Sequence, residues 1–133
     1  MFARLGFVAA ALAAFGQIGW AEGVPVETAT LGASTITLYL HSFLSPEELA
    51  MLRLVAVNEQ ALSVFIPSGA GYAALAVSPE DGFIRDGALV VSAVALAGLP
   101  DQATAASEAL AACNTAKTGA PECVTVLAIA PVP

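Results

Sequence analysis

Residues 35–57 read TITLYLHSFLSPEELAMLRLVAV, and this stretch changes period halfway along. Thr35, Thr37, Tyr39 and His41 alternate with Ile36, Leu38, Leu40 and Ser42. That period of two, in β-branched and aromatic company, predicts a half-buried strand over residues 35–41. The signals then switch to helix initiation, with Ser45 as N-cap, Pro46 at the first helical position and Glu48 three residues after the cap. Leu44 and Leu49 stand where a hydrophobic staple would lock the first turn. The pattern predicts a helix from Pro46 to about Val57. Arg53 is its only charged residue after the first turn, so most of the helix surface must be covered by the rest of the domain.

Toward the C-terminus, Asn58-Glu59-Gln60 interrupts the pattern, and residues 61–66 are expected to form a short helix rather than a strand. Residues 67–71, Pro-Ser-Gly-Ala-Gly, make a connector. A strand from Tyr72 to Val77, turn residues over 78–82 and an apolar return from Ala88 to Ala97 predict a hairpin with a long tip. Asp101 caps a second helix whose Ala106, Ala109, Leu110 and Cys113 share a face; Lys117 suits its negative end, and Gly119 and Pro121 stop it. Cys123 to Ala130 suits a buried strand. These elements together predict a single small α+β domain, a mainly antiparallel sheet with two helices packed on one face and one disulfide. Residues 22–33 show no period and are expected to be irregular.

Toward the N-terminus, Arg4 precedes the apolar run Leu5 to Phe15, which is shorter than the roughly 20 residues of a membrane span. Gly19-Trp20-Ala21 puts small residues where a signal peptidase requires them, so cleavage is expected between Ala21 and Glu22. An uncleaved anchor is the alternative, and the brevity of the run disfavours it. Residues 1–21 therefore read as a signal peptide and 22–133 as a single domain, periplasmic or secreted, with no stable membrane span after cleavage. Residues 22–133 keep Arg53, Arg85 and Lys117 against all 11 acidic residues, a formal charge of −8. Such a balance repels phosphate backbones, and no nucleic acid partner is expected.

Cys113 and Cys123 are the only cysteines, and in an exported chain they are expected to pair as a structural staple. A redox pair is the weaker reading, because the spacing is not Cys-x-x-Cys. Two thiols and one distant histidine do not make a zinc site. His41 is the sole histidine and stands beside Ser42, which keeps a small hydrolase as a remote alternative. No nucleophile elbow or third partner accompanies it, so a strand-end histidine bonded to backbone or water is favoured. Glu47-Glu48 and Glu80-Asp81 fit a helix's positive first turn and a turn tip, and adjacent acids point apart. No catalytic residue and no cofactor is assigned.

The run Gly82-Phe83-Ile84-Arg85-Asp86-Gly87 places two apolar residues beside an opposite-charge pair between strands. Phe83, Ile84, Arg85 and Asp86 are candidates for a contact loop, with the aliphatic and aromatic side chains as anchors. The alternative, which is favoured, is a hairpin tip whose Phe83 folds back on the core while Arg85 and Asp86 pair.

Tyr72 to Pro79, the alanine-rich run from Ala105 to Cys113 and Cys123 to Leu127 together resemble a module of small exported proteobacterial proteins of unknown function, some of them labelled 5-aminolevulinate synthase. The similarity covers residues 71–131 and implies a fold without an activity. A pyridoxal-phosphate synthase needs a Schiff-base lysine in a large cofactor fold, and residues 22–133 offer Lys117 alone, where a helix end wants a cation. The expectation is a non-enzymatic exported domain that contacts another protein of the cell envelope. A small apolar ligand, or an envelope-associated binding role, is the alternative.

Overall fold

The computed structural model describes residues 23–65 and 71–132. The expected signal peptide, the Ala21–Glu22 cleavage position, residue 66 of the expected short helix and residues 67–70 of the connector lie outside them.

Among the described residues ten elements follow in order: β1 (Val26–Leu31), β2 (Ser34–Tyr39), α1 (Pro46–Val57), α2 (Glu59–Phe65), β3 (Tyr72–Val77), β4 (Ile84–Arg85), β5 (Ala88–Leu89), β6 (Val94–Leu99), α3 (Gln102–Ala116) and β7 (Val124–Pro131). The main sheet is antiparallel in the order β1-β2-β7-β3-β6. β7 therefore sits at its centre and joins the N-terminal hairpin to the β3–β6 pair. No helix among the described residues is long and apolar enough to cross a membrane.

The α+β class, the antiparallel sheet and the disulfide match the sequence reading, and three particulars differ. Residues 22–33 are not irregular throughout, because Val26–Leu31 pairs over its whole length with Ser34–Tyr39 across the tight turn Gly32-Ala33. Gly32 has φ +60°, which a glycine reaches without a Cβ penalty, so a two-residue connection suffices. The helices do not share a face. Along β3, Ala73, Leu75 and Val77 pack with Leu52, Val55 and Ala56 of α1, whereas Ala74 and Ala76 pack with Ala105, Ala109 and Cys113 of α3. Strand side chains alternate between faces, so α1 and α3 lie on opposite sides of the sheet. Third, the apolar run Ala88 to Ala97 is not one strand. Its first two residues pair with Ile84–Arg85 in a separate small hairpin, and only from Val94 does the chain join the main sheet.

Local signals explain most boundaries. Ser45 Oγ accepts from the Glu48 amide at 3.1 Å, and Glu48 Oε1 accepts from the Ser45 amide at 3.0 Å, completing the capping box of α1. Asp101 Oδ1 accepts from the Thr104 amide at 2.7 Å and starts α3. Lys117 ends α3, its ammonium donating to the carbonyls of Gly119 and Ala120. A register shift between Leu75 and Ala76 leaves Val126 as an extra residue in β7, so Val126 and Leu127 both enter the α1-side core.

Cys113 and Cys123 form a disulfide with Cα atoms 6.2 Å apart, buried between α3 and β7. The Asn114 side chain accepts from the Cys123 amide at 2.9 Å and clamps the same corner. The intact mass of the folded protein is expected to fall about 2 Da below the reduced chain. Replacing both cysteines by serine should cost about 2–3 kcal/mol in urea unfolding, the loop-closure value for a short ring. Alkylation of free thiols in the native protein would contradict this.

Candidate functional site

The small hairpin β4–β5 owes its position to one carboxylate. Glu48 lies on the inward face of α1 and is 1% exposed. While its Oε1 closes the capping box, its Oε2 accepts from the backbone amides of Phe83 and Ile84, both at 2.9 Å. Burial by itself would raise the Glu48 pKa. The backbone N–H groups of Ser45, Ile84 and Phe83 and the nearby Arg85 guanidinium outweigh it and hold the carboxyl below its ordinary value. Glu48 is thus an internal anion that ties residues 83–84 to the first turn of α1. Its neighbour Glu47 points out to solvent, so the two adjacent acids do diverge.

Phe83 follows from that tether. It is 0% exposed and is the largest fully buried side chain among the described residues. This removes Phe83 from any contact loop: the ring is core, in keeping with the hairpin-tip reading. Ile84 is half-buried against the same core. Arg85 does not pair with Asp86. It donates to the Glu80 carbonyl at 2.9 Å and stands 3.9 Å from Glu48. Asp86 and Gly87 have φ of 55° and 79°, the left-handed pair of a two-residue type I′ turn between Arg85 and Ala88. Asp86 therefore serves the turn, and the Asp-Gly dipeptide is the sequence signal for it.

Held in this way, the hairpin forms one wall of a cleft of about 380 Å³ whose other walls are α1 and α2. Met51, Leu54, Ala61, Val64, Ile84 and Leu89 supply apolar surface, and Glu47 is the only charged side chain in the lining among the described residues. Large aliphatic groups stand open at the edge, with Leu89 56% and Val64 71% exposed. Of the contact-loop candidates Phe83, Ile84, Arg85 and Asp86, only Ile84 reaches this cleft. Met51, Leu54 and Val64 carry no signal in the sequence beyond that of helix residues, since their spacing does not distinguish a cleft wall from a core face.

The remaining candidates sit elsewhere. His41 Nε2 lies 3.0 Å from the Thr125 carbonyl, an acceptor to which its N–H donates, and its ring stacks on Phe43 with centroids 5.5 Å apart. Its partners are thus a backbone carbonyl and an aromatic ring. Asp81 accepts from the Thr118 amide and hydroxyl at 2.9 and 2.8 Å and from Ser92 Oγ at 3.0 Å. These bonds, those from Thr118 foremost, lower its pKa and pin the 78–82 turn to the loop after α3. Arg53 holds Glu27 through two hydrogen bonds of 3.1 and 2.9 Å. That contact lowers the Glu27 pKa and raises that of Arg53. Among the described residues no group of three or more acidic, histidine or cysteine side chains is arranged to hold a metal ion.

No protein-family model, no curated protein and no solved structure matches this chain.

Proposed function

We propose that this chain is an exported, non-enzymatic binding domain that holds an apolar segment of another envelope protein in the cleft between α1, α2 and the β4–β5 hairpin. The observation that carries the reading is the open cleft itself. Its walls are aliphatic, and its edge leaves Leu54, Val64 and Leu89 in contact with solvent. Exposed apolar side chains gathered at one concave place are the mark of an interaction surface, whereas single scattered ones need no explanation. The buried disulfide fits an oxidising compartment, and the leader-like residues 1–21 supply a route to it.

A second reading has one observation in its favour. A volume of about 380 Å³ falls within the range of small-molecule sites, roughly 300–1,000 Å³. A small apolar ligand would use the same walls, and the exposed edge is what tips the choice toward a protein segment.

Cross-linked capture from envelope extract with three baits tests the proposal. Leu89→Asp puts a charge in the cleft wall, and Val91→Asp puts one at a position 88% exposed outside it. A protein retained by the native chain and by Val91→Asp, but lost at least tenfold with Leu89→Asp, is the expected result. Identical recoveries from all three baits would dispose of the cleft as a protein site. Native mass spectrometry showing a small apolar molecule displaced by Leu89→Asp would establish the second reading instead.

A further inference from the structure

The main sheet has two edges, β1 and β6, and they are built differently. β6 is interrupted by a bulge: its register against β3 shifts between Tyr72 and Ala74, and Gly98 adopts φ +76°. A twisted, irregular edge resists pairing with another chain. β1 has no such defence. It is regular for six residues, contains no proline, lysine or bulge, and pairs with nothing on its outer side among the described residues.

The hydrogen-bond phase of β1 follows from its neighbours. The amide of Leu40 donates to the Pro25 carbonyl, and Leu31 pairs with Ser34 next to the tight turn. In an antiparallel ladder the bonded residues alternate. Residues 25, 27, 29 and 31 therefore bond to β2, and Val26, Thr28 and Thr30 turn their N–H and C=O groups outward.

We propose that a second copy of this chain pairs through β1, antiparallel and centred on Thr28. In that register Thr28 meets Thr28 of the other copy, and Val26 meets Thr30 on either side of the axis. All three outward-facing residues of each strand find partners. The one charge on β1 is also accommodated. Glu27 lies across from Ala29 rather than from its own counterpart, and Arg53 already neutralises it within its own copy. A slip of two residues, which moves the axis to Glu27 and keeps the outward-facing groups paired, would set Glu27 against Glu27, a like-charge pair directly opposite, which is destabilising. An acidic chain meets its like best along a strand whose single charge is paired. Beside β1 runs a groove of about 280 Å³ against α1, whose lining combines the Glu27–Arg53 pair and Thr28 with Ala29, Leu38, Ala56 and Val57.

The two-fold axis of such a pair stands perpendicular to the sheet, so the five strands of each copy form one continuous sheet. The α1 and α2 helices of both copies then lie on the same face, and both clefts open toward the same side.

Light scattering on the purified protein, with amide hydrogen exchange over a concentration series, tests the pairing. The expected results are a doubling of mass at high concentration and concentration-dependent protection of the Val26, Thr28 and Thr30 amides. Thr28→Lys brings two ammonium groups together across the axis while its side chain stays in solvent, and it should give a monomer with an unchanged circular dichroism spectrum. Thr28→Pro removes an outward N–H without touching the β1–β2 ladder and should do the same. Ser107→Lys adds the same charge on exposed α3 and should leave the dimer intact. A native chain monomeric up to millimolar concentration overturns the proposal. So does a dimer that survives both Thr28 changes, or one whose β1 amides exchange freely.

Discussion

Glu48→Ala is expected to destabilise the domain by about 3–5 kcal/mol, measured by urea unfolding at neutral pH. One carboxylate accepts from three backbone amides, those of Ser45, Phe83 and Ile84. Bonds to a charged acceptor contribute about 1.5–3 kcal/mol each and do not sum, since one side chain makes them all. Alanine leaves these donors, the Phe83 amide buried and those of Ser45 and Ile84 part-buried, without their acceptor, and half of the α1 capping box goes with it. Glu48→Gln should lose less, because an amide oxygen can still serve one side of the arrangement while its NH2 faces a donor on the other. The pH dependence has a defined sign. Because the folded pKa lies below that of the unfolded chain, the contribution is fully present above the ordinary glutamate range and disappears as pH falls through the lowered value. Native Glu48 should thus steepen the acid limb of the stability curve, and Glu48→Gln should flatten it. An acid limb unaltered by Glu48→Gln would remove the carboxylate from its anchoring role.

Phe83→Ala should cost a similar amount, about 3–5 kcal/mol, through a different mechanism. The ring is wholly buried among α1, β3 and β7 side chains, so its removal forfeits apolar burial and leaves a cavity. Ile84→Ala, one residue on and half-exposed, should cost clearly less. Because Phe83 and Glu48 secure the same two residues of backbone, the double variant should fall short of the sum of the single ones. Strict additivity in that cycle would mean that tether and ring act independently. In either single variant the β4–β5 hairpin should exchange its amides faster than the main sheet, and the cleft should lose its third wall.

Much of this architecture is legible in the sequence because local chemistry fixes it. Ser45-Pro46-x-Glu48 marks the start of α1 unambiguously, Asp101 does the same for α3, and two cysteines ten positions apart behind a leader-like segment leave a staple as the economical outcome. The features that escape such a reading share a cause. Val-Glu-Thr-Ala-Thr-Leu in β1 has β-branched residues without an apolar alternation, since an edge strand with one open face need not show one. Which face each helix covers is a matter of chain crossing rather than of local pattern. The small residues at Ala74 and Ala76, where α3 lies close, are the only hint. The spacing from Ser45 identifies Glu48 as a capping residue, but its second oxygen serves residues 35 positions away, and no spacing rule reaches that far. The cleft depends on that long-range bond, so its walls do not assemble from the sequence alone.

The central place of β7 has a consequence for how the molecule is made. Strands β2 and β3 do not touch each other in the sheet; each waits for Val124–Pro131 to slot between them. A ribosome that has delivered the chain as far as Leu99 has delivered the β1–β2 and β3–β6 pairs, with the small β4–β5 hairpin between the strands of the second. No strand ladder joins them until β7 emerges. The main sheet is therefore completed only by the last of its described strands to be made, and the two pairs it joins depend on it for their contact within the sheet.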